Sequence, residues 1–273
     1  MAFDFALRIL AMALAVAGSV GTATAGVLED VKARGELIVG VKADTPPYGY
    51  RLPAGEIVGM ELDLAKDLAD RLGVKLKLWP VSPDSRLQFL EQGQIDLLIA
   101  TLAVTDERRK RVALVEPFYY ASGIAVIAKR EAGVNGIGDL AGKPFCALRD
   151  AYFRDDILAR AGGSVFVPVR NLDEGRAALA EGKCVGLADE DVRLIHTRNS
   201  AAEAWKDYRI APLDLPLLPW AIAVRTGEKD TPFGKLVSAT VTDWHKSGKL
   251  LELEKKWLGE NTKWLSEAHE RAK

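Results

Sequence analysis

Apolar positions alternate between two periods along most of this chain. Glu36 to Val41 is a short apolar run with the look of a buried strand. From Glu61 to Leu72, the residues Leu62, Ala65, Leu68, Ala69 and Leu72 fall on one helical face, and Gly73 stops the helix. Val74 to Leu78 alternates as a strand. Ser82-Pro83 opens a helix carrying Leu87 and Leu90 that ends at Gly93, and Ile95 to Ala100 is the next strand. Ser122 to Ala128 is a further apolar strand. After the Asn135-Gly136 turn the alternation restarts, with strands over Pro144 to Leu148, Val165 to Val169 and Cys184 to Ala188. Helices over Ala151 to Ala161 and Asp173 to Glu181 separate them. Trp220 to Arg225 is a late strand. Thr231-Pro232 opens a long amphipathic helix reaching Gly248, and Leu250 to Leu258 is a final helix. Such alternation predicts an α/β chain with parallel sheets flanked by helices.

The second α/β unit begins after one long strand and ends before another. That arrangement predicts a discontinuous first lobe, residues 26–126 with 222–273, and a second lobe, residues 127–221. Two hinge strands join them, with crossings near Ala125–Ala128 and Trp220–Val224. A cleft between such lobes can close on a small ligand.

Residues 1–25 are expected to be a signal peptide. Arg8 gives a thin basic start, Ile9 to Gly18 is apolar but short, and Ala23-Thr24-Ala25 is a cleavage site that leaves Gly26 first. No later apolar run is long enough to span a bilayer, so the expected location is the periplasm. Lys and Arg total 37 against 38 Asp and Glu, so no basic surplus points to nucleic acid. An even pair of cysteines in an oxidising compartment, Cys146 and Cys184, suggests one disulfide. Two buried thiols are the alternative.

The segment from Thr101 to Arg108 carries the most chemistry. It leaves a buried strand and enters a helix start, where Thr105 can cap and Asp106 and Glu107 occupy the first turn. Free N–H groups there favour an anion, and Arg108 adds a fork of donors that fits a carboxylate. A solvated basic face over Arg108 to Arg111 is the bland alternative. Signatures of serine hydrolases, zinc proteases, nucleotide loops and redox dithiols are absent from the sequence. His196, His245 and His269 are scattered, which fits structural or surface histidine. No cofactor, metal or catalytic residue is expected.

The whole mature sequence resembles the bacterial extracellular solute-binding proteins of family 3, the receptors of polar amino-acid ABC importers. The motifs occur in the family's order. Leu37 to Val41 with Pro46-Pro47-Tyr48 is similar to the opening strand and its "YPPF" turn. Ile57 to Ala65 is similar to "LVGFDVDLA", and Gly93 to Asp96 to "GKID". Thr105 to Arg108 is similar to "TPER", Glu116 to Tyr119 to "SDPYY", Asp139 to Lys143 to "DLKGK", and Ala221 to Arg225 to "GIAVRKG". The resemblance implies a two-lobed, type II periplasmic binding fold. It implies that Arg108 holds a ligand carboxylate. Ala103 stands where a Ser or Thr is usual and keeps only its N–H. Thr45 stands at the stacking aromatic, with Tyr48 and Tyr50 close by. Asp150-Ala151-Tyr152 replaces the second lobe's "GTT" turn, and Glu190 stands at the acid that takes the α-ammonium. Asp189 and Asp191 flank it. Tyr152, Phe153 and Trp220 are candidate apolar cleft walls or core residues. The implied partners are a small polar, carboxylate-bearing ligand and an inner-membrane ABC permease, with a monomeric receptor. Two alternatives stay open: a dehydratase of the cyclohexadienyl type using Glu190 or Asp150 as a general acid, and a partner protein with a vestigial cleft.

Overall fold

The computed structural model describes residues 26–149 and 151–273. The expected signal peptide and Asp150 lie outside them. Two five-stranded sheets organise two lobes. In spatial order, the first holds Lys75–Pro80, Glu36–Val41, Leu97–Ile99, Leu218–Val224 and Ala113–Ser122. The second holds Val165–Val169, Pro144–Leu148, Gly186–Glu190, Ile124–Lys129 and Tyr208–Pro212. In each sheet three strands run parallel, as alternation with helices predicts. The last two strands of each pair antiparallel, because they carry the chain out of one sheet and back again.

The lobes exchange the chain at two adjacent points. Ala113–Ser122 belongs to the first sheet and Ile124–Lys129 to the second, so one crossing is at Gly123. Tyr208–Pro212 and Leu218–Val224 place the other along residues 213–217. Ala125–Ala128 and Trp220–Val224, expected to form the crossings, lie inside the two sheets instead. A side chain at Gly123 would sit 3.0 Å from Asp191 Oδ2 and 3.2 Å from Leu217 Cδ2. The apolar run from Ser122 to Ala128 hides this break, since glycine does not interrupt a hydrophobic pattern.

The helix Met60–Leu72 buries Leu64, Ala65, Leu68 and Ala69, and Gly73 ends it in the left-handed conformation. Residues 106–109 form a single helical turn. Thr231 caps the long helix Pro232–Ser247, whose Trp244 is fully buried and donates from Nε1 to Asp67 Oδ2 at 2.7 Å. Burying side chains of this size contributes about 1.5–3 kcal/mol each. The second lobe has its own core, built on Val126, Phe145 and Ile157.

Cys146 and Cys184 form a disulfide with an S–S distance of 2.06 Å. It ties the strand Pro144–Leu148 to the turn ahead of Gly186–Glu190, its parallel neighbour. That last strand begins two residues later than the hydrophobic run suggests, and Asp189 and Glu190 complete it. Backbone pairing with Ala125 and Ile124 carries the ladder past the last apolar residue. The tail around His269 is a helix, Lys263–Ala272. His269 Nδ1 lies 2.6 Å from the His245 carbonyl, and His245 Nε2 lies 2.8 Å from that of Phe118. Among the described residues no helix is long and apolar enough to cross a membrane.

Candidate ligand-binding cleft

A cavity of about 300 Å³ opens between the lobes. Its first wall is built by the loop that follows the strand Leu97–Ile99. Thr101 takes a positive φ of 46° and donates its N–H to Glu61 Oε1 at 2.7 Å. Non-glycine residues avoid that backbone region, so the bond holds a locally strained turn in place. The next residues are laced to the strand Leu218–Val224. Val104 N–H bonds Pro219 O at 2.8 Å, and Ala221 N–H bonds Leu102 O at 3.0 Å, with Ala103 bridged to Trp220. Thr105 then caps the helical turn, its Oγ1 accepting the Arg108 N–H at 3.3 Å. Arg108 reaches back along the turn and donates from Nη1 to Ala103 O at 2.6 Å. Partial burial lowers its pKa.

Three further charged residues stand on or behind this wall. Arg86 is buried and donates from Nη1 to Ala100 O and, at 3.5 Å, to Thr101 O. Burial first, and then the charge of Arg108, push its pKa down to about 10, while Glu61 works in the opposite sense. Lys42 is buried beside Asp44, with Nζ 2.8 Å from Oδ1. Glu61 is completely buried; its Oε1 also accepts the Tyr119 hydroxyl, and its Oε2 has no hydrogen-bond partner among the described residues. Burial pushes its carboxyl up to about 7, against the lowering effect of those bonds.

An aromatic group forms the cavity floor. Tyr48 packs edge-on against Trp220 at 4.7 Å and Tyr120 at 5.6 Å between centroids. Its hydroxyl is buried beside that of Tyr120. The opposite wall comes from the second lobe. Glu190 ends the strand Gly186–Glu190, and the Tyr152 hydroxyl donates to its Oε1 at 3.4 Å. Burial, then the neighbouring Asp189, push the Glu190 carboxyl up to about 7, and Arg193 opposes the shift. Arg193 Nε lies 3.3 Å from Asp189 Oδ2. Larger hollows lie elsewhere, one of about 390 Å³ beside Asp191 and Trp264 and one of about 360 Å³ around His245. Of these hollows the cleft cavity sets Arg108 of the first lobe opposite Glu190 of the second.

Of the residues marked from sequence, Thr45, Tyr48, Thr101, Ala103, Arg108, Tyr152 and Glu190 line this one cavity. Ala151 does not; it packs against the second-lobe core and bonds Leu148 O through its N–H at 2.9 Å. Phe153 is core, whereas Trp220 is both buried and cavity-lining. Asp191 turns to the hinge, where its Oδ1 accepts the Ser122 hydroxyl at 3.1 Å. Asp150 lies outside the described residues. Sequence reading missed Lys42, Arg86, Arg193 and Glu61. Glu61 was detectable, since it shares a helical face with Leu64, Ala65 and Leu68 and so breaks an apolar stripe. Among the described residues no group of His, Cys, Asp and Glu is arranged to hold a metal.

Comparison with known proteins places this geometry. The bacterial extracellular solute-binding proteins, family 3, match residues 37–260. The ABC transporter glutamine-binding protein GlnH of Bacillus subtilis (strain 168) is 28% identical over 239 residues, covering 86% of this chain and 85% of that protein. The L-cystine-binding protein TcyJ of Escherichia coli (strain K12) is 28% identical over 271 residues, covering 93% and 94%. Among solved structures, an ancestral cationic amino acid solute-binding protein superposes with a TM-score of 0.74 at 22% identity. It covers 85% of this chain and 100% of its own, and at that identity the likeness speaks to fold alone.

Proposed function

The chain belongs to the bacterial extracellular solute-binding proteins, family 3, and from that premise we propose that it is the periplasmic receptor of an ABC importer. Its cleft closes on a small polar, carboxylate-bearing solute, an amino acid or a related compound. One observation carries this reading. Arg108 is half-buried, lines the cleft, and is bonded only to a carbonyl among the described residues. A guanidinium held in that way offers its remaining donors to an incoming carboxylate. The Ala103 N–H is the second donor on this wall, and Tyr48 and Trp220 supply the apolar floor. Glu190 faces them from the other lobe and takes the ligand's ammonium group, while Tyr152 covers it. Closure of the second lobe brings these two walls together around the ligand. The first 25 residues direct export and are removed after Ala25. The mature receptor is monomeric and docks on an inner-membrane permease; the name of GlnH ties that relative to an ABC transporter.

The raised pKa of Glu190 favours a second reading. A carboxyl that titrates near 7 is suited to general-acid work, such as helping a hydroxyl leave in a dehydratase. An ammonium group facing Glu190 would instead lower that value and keep the carboxylate charged. The test uses protein unfolded and refolded to free it of carried-over solute. Melting is followed with each common amino acid, and turnover of arogenate and prephenate is followed separately. The receptor reading expects a raised melting temperature, since a ligand at about 100 times its Kd stabilises by about 2.7 kcal/mol. It also expects weaker binding in Glu190→Gln and no product. Turnover that vanishes in Glu190→Gln would replace it with the enzyme reading.

A further inference from the structure

The first-lobe wall carries more positive charge than one carboxylate requires. Lys42, Arg86 and Arg108 all line the cavity, and the first two are only 5% and 6% exposed. Lys42 has Asp44 beside it. Arg86 and Arg108 bond only backbone carbonyls and have no carboxylate within salt-bridge distance among the described residues. Arg86 feels the charge of Arg108, and Glu61 behind Arg86 works in the opposite sense. Two guanidiniums on one wall, neither within salt-bridge distance of a carboxylate among the described residues, are electrostatically unfavourable. An incoming anion relieves that cost.

We propose that the ligand carries two carboxylates on a short carbon chain, one for Arg108 and one for Arg86 with Lys42. The positions of the anchors support two groups over one. Arg108 hangs from Ala103 O, whereas Arg86 hangs from Ala100 O and Thr101 O. Those anchors are two to three residues apart, on either side of the turn at Thr101. That offset suits two carboxylates better than a single one shared by both heads. A cavity of about 300 Å³ accommodates such a molecule, with Glu190 left to its ammonium group if it has one. The ligand is then an acidic amino acid or a short dicarboxylate, with a second carboxylate that the glutamine in the name of one relative lacks.

This inference rests on the receptor reading, and calorimetry of the refolded protein separates the two. L-glutamate is compared with L-glutamine, and L-aspartate with L-asparagine, because each pair differs in one charge and little in shape. The acid of one pair should bind about tenfold more tightly than its amide, or better. Glutarate and succinate report whether the ammonium group is needed. Arg86→Gln should erase the preference for acid over amide, Arg86→Lys should keep part of it, and Arg108→Ala should weaken both members of the pair. An amide that binds as tightly as its acid overturns the two-carboxylate inference and leaves the receptor reading standing. Absence of binding by every amino acid and dicarboxylate overturns both. The wild-type ratio decides the question even if an Arg86 variant fails to fold.

Discussion

Replacing Glu61 with glutamine should stabilise the ligand-free protein above neutral pH and change little in mild acid. Glu61 is fully buried, accepts the Thr101 N–H and the Tyr119 hydroxyl on Oε1, and leaves Oε2 without a hydrogen-bond partner among the described residues. Burial lifts its carboxyl from an ordinary 4.5 to about 7, even with Arg86 and Lys42 pulling the other way. Between those values the folded state binds more protons than the unfolded state, so stability falls as pH rises. Below the lower value both states hold the proton and the acid costs nothing. Above the upper value the whole cost is present. A gap of about 2.5 pH units corresponds to about 3 kcal/mol. Glutamine keeps the shape, and its Oε1 can accept the same two bonds without charge. The variant should therefore gain about 1 to 3 kcal/mol on the wild type between about pH 5 and about pH 8. Urea unfolding of both refolded proteins at the two pH values gives the number. Comparing the two pH values cancels the cost of placing an amide nitrogen where Oε2 stood. A stability difference that is the same at both would refute the reasoning.

Arg108→Ala should weaken ligand binding by about 2 to 5 kcal/mol, nearer the lower figure because the side chain is half exposed. Arg109→Ala and Arg111→Ala should leave affinity unchanged, since they pair on the surface with Glu116 and Glu91; equal losses in all three would reduce the site to a general basic patch. Removing the disulfide by Cys146→Ala with Cys184→Ala should cost about 4 kcal/mol on the chain-entropy model for a separation of 38 residues. A loss below about 1 kcal/mol in denaturant unfolding would contradict that estimate. Mass spectrometry of the exported protein should find Gly26 at its N-terminus, and an intact Met1 would reject the cleavage site.

The two-lobed architecture was legible because its strands and helices bury different periodic patterns, and glycines such as Gly73 punctuate them. The helix Asp191–Ser200 shows in the sequence only as a helix-like stretch around His196, since its mean pattern is polar and it starts inside an acidic run. The helix Lys263–Ala272 buries fully only Leu265, too little to show as a stripe. At the cleft, Arg108 announced itself through the capped turn that precedes it. Arg86 gave no such sign. It sits at the start of an ordinary short helix, and only the fold brings it under Ala100 and Thr101. Glu61 was missed for a different reason. An acid in a first helical turn usually faces water, and here the periodic face pointed inward.

The lacing of the Thr101–Val104 loop to Leu218–Val224 has a kinetic consequence. That strand also pairs with Ala113–Ser122, so both connectors of the first lobe and the anion-facing loop form one continuous ladder. Rotation at Gly123 and along residues 213–217 begins just beyond it. The groups that first meet the solute therefore stay in place whatever the second lobe does. Arrival is governed by the fixed cationic wall and should slow with added salt. On the proposed receptor reading, departure waits for Glu190 and Tyr152 to swing away. Substitutions on the two walls should differ accordingly: those at Lys42 or Arg86 slow arrival and also shorten residence, and those at Glu190 shorten residence while arrival keeps its pace.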